Sequence, residues 1–598
     1  MNMSSIANHV TLQNLINCYV KETGEGEWKG IDHLPFPLKE KDLSQVLVIS
    51  FRQQGITLYI PARYQSPTGR HLFSSEMFYQ VDGRVKTLDY VTFLSFMQRE
   101  FSKASEHPVD GDELLVRTVL SNQALKRIFT HRTDSMTECY QVEKTFLQSE
   151  QSLLIGHQLH PTPKSRQGID EDEELLFTPE RKGSFQLHYF RAACELVDEK
   201  SALADSASEL IKHDLLHDPN VQDSFKASYC QADDYVLLPV HPLQARKLLG
   251  KKEIADLIQA GKLSYLGPQG RAFYPTSSLR TVYHPEAEYM YKFSIPVKIT
   301  NSLRVNKRKE LARGVEVSEL LKNGLYDQLK AEHPAFNIVQ DPAYITLSLD
   351  SEESGLETVI RENPFRQGGE ERTTLLAALC QDSIQGNSHL TNLMVELAKQ
   401  KKISVTEASK WWFSRYLNVS LRPLYWLYAT HGIALEAHQQ NSIIKLDAEG
   451  LPSLFYYRDN QGYYFMQSKA ETLKQFVPTL NEQSDTICSD AVAEERFRYY
   501  VFFNHLFGLV NAFGTNRLID EEQLLHILRE ELTLLRQQFG DPTNLVNSLL
   551  HEEMLPCKAN LLTRIHDMDE LEGSLATQSV YVPVPNPLVV MAGELHEM

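Results

Sequence analysis

The chain has 598 residues, 42% hydrophobic and 23% charged, an ordinary globular composition that suffices to bury several large cores. Its net charge of −18 argues against a nucleic-acid or anionic-membrane surface but leaves room for a local basic pocket. No apolar run approaches the ~20 residues that span a bilayer, and the start MNMSSIANHV lacks the pattern of a secretory signal.

Seven dispersed cysteines with no CxxC pair fit reduced thiols in the cytoplasm better than a disulfide framework or a zinc site. Residues 4–21 read as a helix, with Ile6, Val10, Leu15 and Ile16 at helical spacing. Residues 44–64 read as strands around a glycine turn, and 87–104 and 112–131 as helices. GHQLHPTPKSRQG (156–168) is a polar loop that Pro161 and Pro163 keep extended. The acidic run Asp170 to Glu174 reads as a solvated loop and marks a boundary. FQLHYF, YVLLPVH and the long MYKFSIPVKIT, all between 185 and 305, read as strands. Beyond about 306 helices dominate, interrupted by strands at 431–467, and 521–540 is a strong helix. The expected class is α+β, with antiparallel sheets and a largely helical C-terminal part. The expected divisions are 1–165, 166–390 and 391–598, the last carrying the 431–467 hairpin.

MYKFSIPVKIT (290–300) puts Tyr291, Phe293, Ile295, Val297 and Ile299 on one face and Lys292 and Lys298 on the other. Alone, it also fits a half-exposed strand with lysines in water. Its neighbours add chemistry. YPTSSLRTVY sets Ser278 and Thr281 beside Arg280, and TNSLRVN places Asn301 and Arg304 three apart, as if opening a helix. Hydroxyls, helix-start N–H groups and fixed cations suit phosphate or carboxylate oxygens. The 156–168 loop offers His157, His160, Lys164 and Arg166, a rigid phosphate clamp or equally a surface loop with incidental histidines.

HGIALEAHQQN (431–441), taken as a strand, aligns Glu436, His438 and Gln440 on one face. The LDAEG turn that follows predicts a hairpin returning Asp459 to the neighbourhood of His438. Two carboxylates brought together repel unless a cation lies between them, and Mg²⁺ takes one or two carboxylates besides phosphates. The other reading is an amphipathic hairpin with these groups in solvent. No GxxxxGK[ST], strand-borne GxGxxG, GxSxG or HExxH is present.

GHxxHPxxKxRxG, PVHPLQ (239–244), SSLRT (277–281), PVKITNSLR (296–304), ExHxQN (436–441) and Arg458-Asp459 occur in one order. That ordered set, from about 150 to 565, resembles the IucA/IucC family, siderophore synthetases that work without a nonribosomal assembly line. LQNLINCYVKETG near the start resembles the citrate-activating branch. The resemblance implies a cupped hand of thumb, fingers and palm subdomains, corresponding to the three divisions above. It implies ATP- and Mg²⁺-dependent adenylation of a carboxylate, citrate above all, then condensation with an amine or hydroxyl. By the same likeness Ser278, Arg280, Thr281, Lys292 and Asn301 would hold ATP, with His157, Lys164 and Arg166 closing over its phosphates and Gln440 nearby. Thr300, Arg304 and His438 would bind the polycarboxylate, with Lys292, Arg304 and His438 the catalytic set. Glu436 and Asp459 would hold Mg²⁺. Family members are often homodimers. One departure is Gln158, where the family's HPxHP has its first proline, so this loop is less stiff. A kinase-like phosphotransferase and a non-catalytic carboxylate-binding protein are the rival readings. The sequence carries no motif for the amine.

Overall fold

The computed structural model describes residues 2–41, 43–104, 111–231, 234–299, 302–349, 353–459, 461–565 and 579–589. Asn2 caps the first helix, Met3–Thr23, by accepting from the Ser5 N–H at 2.8 Å. Leu12, Leu15, Ile16 and Tyr19 of this helix share a core with Leu47, Ile49, Leu58 and Ile60. Those residues lie on strands Gln45–Phe51 and Ile56–Tyr64, which pair antiparallel with Phe51 opposite Ile56. Gly55 makes the turn at φ 64°, a conformation glycine adopts without strain. Helices Tyr90–Ala104 and Asp112–His131 also stand where the periodicity puts them.

An eight-stranded sheet follows, every strand pairing in it antiparallel. Strand Phe185–Ala193 lies between Tyr235–Val240 and Leu263–Pro275, and the sheet continues through Thr281–Tyr283 and Tyr289–Phe293 to Thr358–Glu362. The long strand expected at 290–300 is cut short here. It leaves the sheet after Phe293 because Pro296 has no N–H for a ladder. Lys298–Ile299 then pairs with Arg166–Gln167 on one side and Ser302–Leu303 on the other. Where a helix start was expected, Ser302–Leu303 is a strand, and the next helix among the described residues is Arg308–Leu320.

The acidic run is not a solvated loop. Asp170 caps helix Glu171–Phe177 in a capping box with Glu173. Glu174 is buried and accepts from Arg127 at 2.7 and 2.8 Å, and Glu173 pairs with Arg246. Opposite charges far along the chain turn Glu173 and Glu174 inward, while Asp170, Glu171 and Asp172 stay exposed.

The C-terminal part packs helices His389–Lys401, Val405–Val419, Leu421–His431 and Glu521–Phe539 into one large core. Here the sheets are mixed, since Phe336–Val339 runs parallel to Pro452–Arg458 and Tyr463–Met466 parallel to Ile487–Cys488. The 431–441 stretch is a strand only at Ile433–Leu435. Residues 436–441 turn instead, and the expected hairpin forms just beyond, Ser442–Leu446 against Pro452–Arg458. The two ends of the chain meet: Glu22 accepts from the Leu561 and Leu562 N–H groups at 2.9 and 2.8 Å. Among the described residues no helix is long and apolar enough to cross a membrane.

Candidate functional site

A cavity of about 350 Å³ opens where these pieces converge. It is bounded by the 156–168 loop, the Thr276–Thr281 turn, Lys292, the 436–441 turn, the hairpin end at Arg458–Asp459 and helix Arg498–Leu506. Twelve of the fourteen residues given site roles line it, His157, Lys164, Arg166, Ser278, Arg280, Thr281, Lys292, Arg304, Glu436, His438, Gln440 and Asp459, and so does His160 of the 156–168 loop. Thr300 and Asn301 lie outside the described residues.

Arg280 is buried, and its guanidinium donates to Asn306 Oδ1 at 2.8 Å and Gln461 Oε1 at 2.9 Å. Both partners are neutral amides, so they orient the fork without cancelling its charge. Burial pushes its pKa down to about 10, still fully charged at neutral pH. The turn carrying it is strained: Leu279, just before, has φ 63°. Lys292 lies beside Arg280 and reaches Asp459 at 3.1 Å. Burial pulls the ammonium down to about 8 against the pull of Asp459. Burial would raise the Asp459 carboxyl, but Lys292 and Arg361 more than offset it and hold it well below the usual range. Both groups of the pair are ionised, held so by the 3.1 Å contact and by Arg361 beside the carboxylate. Asp459 has φ 124°, a second strained residue on the same cavity. Non-glycine residues held this way cost roughly 1–3 kcal/mol and concentrate at functional sites.

His438 Nδ1 accepts from the Asn441 N–H at 3.3 Å, which leaves Nε2 to carry the proton. Nε2 faces Glu436 Oε1 at 3.6 Å. Burial depresses the imidazole to about 4, so it is a neutral donor at pH 7. Glu436 also receives the Tyr464 hydroxyl at 3.3 Å. Gly462 lies against it so closely that a Cβ there would come within 2.4 Å of the Glu436 Cβ. Gln440 donates to Ser277 Oγ at 3.1 Å. Arg304 donates to Ile299 O at 3.3 Å.

The basic loop differs from its expected use. Lys164 and Arg166 both donate to Glu180 Oε1, the latter at 2.6 Å, and all three side chains are buried. Two cations on one acid leave a net single charge, so Lys164 is not an independent clamp. Gly168 ends the loop at φ 96°, and a Cβ there would come within 2.6 Å of Pro296 O. His157 is solvent-exposed within the cavity and contacts Asn504 at 2.5 Å.

Other lining groups escaped the sequence reading. Tyr499, Tyr500, Phe503 and Asn504 come from Arg498–Leu506, nine residues of π-helix, a form that often marks functional sites. Lys558 arrives from strand Met554–Lys558 and lies over the Tyr499 ring at 5.8 Å. Asn306, which orients Arg280 from behind without lining the cavity, stands inside TNSLRVN, so its amide was visible although its role was not. No local pattern marks the others. Among the described residues no group of three His, Cys, Asp or Glu side chains is arranged to hold a metal; the carboxylates facing this cavity are Glu436 and Asp459.

The chain is 45% identical over 592 residues to a spermidine-citrate ligase of Bacillus anthracis, covering 98% of each, and residues 145–381 match the IucA / IucC family model. The chain belongs to the IucA/IucC family. Residues 410–573 of this IucA/IucC member match a second model, described as ferric iron reductase FhuF-like transporter. A rhizobactin siderophore biosynthesis protein, RhbC, of Rhizobium meliloti (strain 1021) is 35% identical over 582 residues, 97% of each chain. In architecture the protein is similar to an ATP-bound aerobactin synthetase IucA from a hypervirulent pathotype of Klebsiella pneumoniae. The TM-score is 0.86 at 24% identity, covering 97% of this chain and 99% of that one, a likeness of fold.

Proposed function

We propose that this chain is an ATP-dependent ligase of siderophore biosynthesis, which adenylates a carboxylate of citrate and passes the citryl group to an amine. The observation that carries this reading is the one cavity in which the anion-binding and acidic residues converge. It is supported by the full-length likeness to a spermidine-citrate ligase and by a fold shared with a synthetase solved with ATP.

In the first step a citrate oxygen bonds to the α-phosphorus and pyrophosphate leaves. Both reactants are anions, so preorganised cations must neutralise them. Arg280 and Lys292 serve the nucleotide phosphates, with the Ser278 and Thr281 hydroxyls and Gln440 beside them. Arg304 and His438 serve citrate, His438 by donating from neutral Nε2. Arg166 and His157 close the phosphate side, with Lys164 holding Arg166 in place through Glu180. Thr300 and Asn301 keep the roles that the family likeness implies. In the second step the amine nitrogen bonds to the acyl carbon, AMP leaves, and the amine proton passes to water. Asp459 is too acidic and His438 too weakly basic to take it.

Glu436 and Asp459 fit Mg²⁺, which needs one or two carboxylates and completes its shell with water and phosphate oxygens. When bound, the ion supplies charge neutralisation at the phosphates. The reading extends to a homodimer in the cytoplasm, checked by light scattering. It also keeps the thumb, fingers and palm divisions. A core at residues 177–360 supports the second; the first core, at 12–114, also draws on Leu561 and Ile565, and the palm core also draws on 317–338 and 376–380.

Incubation with ATP, Mg²⁺, citrate and hydroxylamine tests the reading. Citryl hydroxamate with AMP and pyrophosphate is expected; ADP instead would replace it with a phosphotransferase, and ATP-independent citrate binding without turnover with a binding protein. Mass spectrometry with spermidine and other amines then identifies the acceptor.

A further inference from the structure

Glu150 does not line the cavity, and no step above uses it. It ends the five-residue helix Phe146–Glu150 and is 1% exposed. Both of its oxygens are engaged. Oε1 accepts from Arg458 Nη1 at 2.5 Å, and Oε2 accepts from the Ser277 N–H at 2.7 Å. Arg458 Nη2 donates onward to Ser277 Oγ at 3.1 Å and to Gln440 O at 2.9 Å. One carboxylate therefore ties together three segments far apart in sequence.

Two of those segments are the strained ones. Ser277 leads into Leu279 and Arg280, and Arg458 immediately precedes Asp459. Left-handed residues persist only where their surroundings over-determine them. If the buried charges served packing alone, an apolar pair of the same volume would do as well. Here the donors and acceptors at the far ends are the Ser277 N–H and the Gln440 carbonyl, the backbone of the two loops themselves.

We propose that Glu150 is a positioning residue that locks the 277–281 turn to the 440–459 hairpin end, so that Arg280 and Asp459 meet the two substrates in one register. This rests on the ligase reading. It assigns Glu150 a role in the reaction without contact to either substrate.

Glu150→Gln keeps the volume but cannot accept both hydrogen bonds. The expected result is a loss of roughly 10- to 100-fold in kcat/KM, with KM for ATP raised and kcat lowered together. Hydrogen exchange should quicken at 277–281 and around Arg458, and stay unchanged in the Gln45–Phe51 and Ile56–Tyr64 strands. Because the two residues act as a unit, Glu150→Gln/Arg458→Gln should lose no more than about twice what the worse single variant loses. Full kcat/KM per folded molecule, unchanged exchange at 277–281, or losses that multiply would each overturn the proposal. If the wild-type protein itself forms no AMP and pyrophosphate from ATP and citrate, the ligase reading fails, and the exchange measurement still decides the anchor.

Discussion

Replacing Glu180 by glutamine tests the electrostatic account of the basic loop. Burial alone would raise this carboxyl, yet Arg166 and Lys164 hold it at about 2, against an ordinary 4.5. Burial pushes Lys164 the opposite way, down from its usual value. The carboxylate gives the direction for the pair, because two cations converge on its Oε1. A shift from 4.5 to about 2, at 1.36 kcal/mol per unit, amounts to about 3 kcal/mol of stability. Removing one partner from a buried ion pair costs roughly 3–5 kcal/mol by mutational precedent, so the two routes agree. The group's folded value is depressed. Its contribution is therefore fully present above pH 4.5 and disappears as pH falls from 4.5 toward 2. Urea unfolding followed by circular dichroism at pH 7 should place the Glu180→Gln transition about 3 kcal/mol below wild type, with the gap narrowing under pH 4.5. The double variant Lys164→Met/Glu180→Gln should recover a large part of the loss, since one stranded cation is gone. A Glu180→Gln penalty under about 0.5 kcal/mol at pH 7, the size of a surface substitution, would refute the reasoning.

Arg304→Ala should raise KM for citrate by roughly 10- to 100-fold, the range of one charge-assisted hydrogen bond, and that for ATP far less; a defect confined to ATP would reassign this arginine. Asp459→Asn should abolish most Mg²⁺-dependent turnover while the far-UV spectrum stays the same, and unchanged activity discards the metal proposal. Burial holds His241 near 3 and His505 near 4 when folded, against an ordinary 6.5. These histidines stay neutral in the fold and protonate on unfolding, so stability is lost as pH falls below 6.5. The loss is about 1.4 kcal/mol per histidine by pH 5.5. Glu22 and Glu521, pushed up to about 7 by burial, shift stability the other way over this range, so the check compares wild type with His241→Asn/His505→Asn: a stability difference that is the same at pH 7 and 5.5 would contradict this.

The three helices of the first 131 residues and the strand pair at 45–64 were legible because their apolar spacing is local and the turn carries glycine; the short strands Glu27–Gly30, Leu72–Phe73, Phe78–Val81 and Arg84–Thr87 of the same sheet were not read. The hairpin was legible for the same reason: LDAEG sits between two alternating runs, and Ser442 pairs with Tyr457 in a register that brings Asp459 back beside the 436–441 turn. What failed was set by partners distant in sequence. Five acids in a row look solvated until Arg127 and Arg246 arrive to bury two of them. The alternation in 290–300 is real, yet Pro296 ends the ladder and the second half pairs with Arg166–Gln167 instead. Glu436, His438 and Gln440 reach one cavity, but from a turn rather than a strand face. The neutralisation of Lys164 by Glu180 had no local signal, because the two lie sixteen positions apart with no repeat linking them. Motif order located the cavity; it carried no information about the walls that Tyr499, Tyr500 and Lys558 supply from the far end of the chain.

The closure of the two termini sets the timing of synthesis. Glu22 waits for the N–H groups of Leu561 and Leu562, and the strand ending at Lys558 completes the wall. A nascent chain therefore carries an unfinished cleft until Lys558 and Asn560 have been added. A transcript cut short between the codons of Asp459 and Met554 encodes the residues assigned to the substrates yet omits Lys558 from the wall.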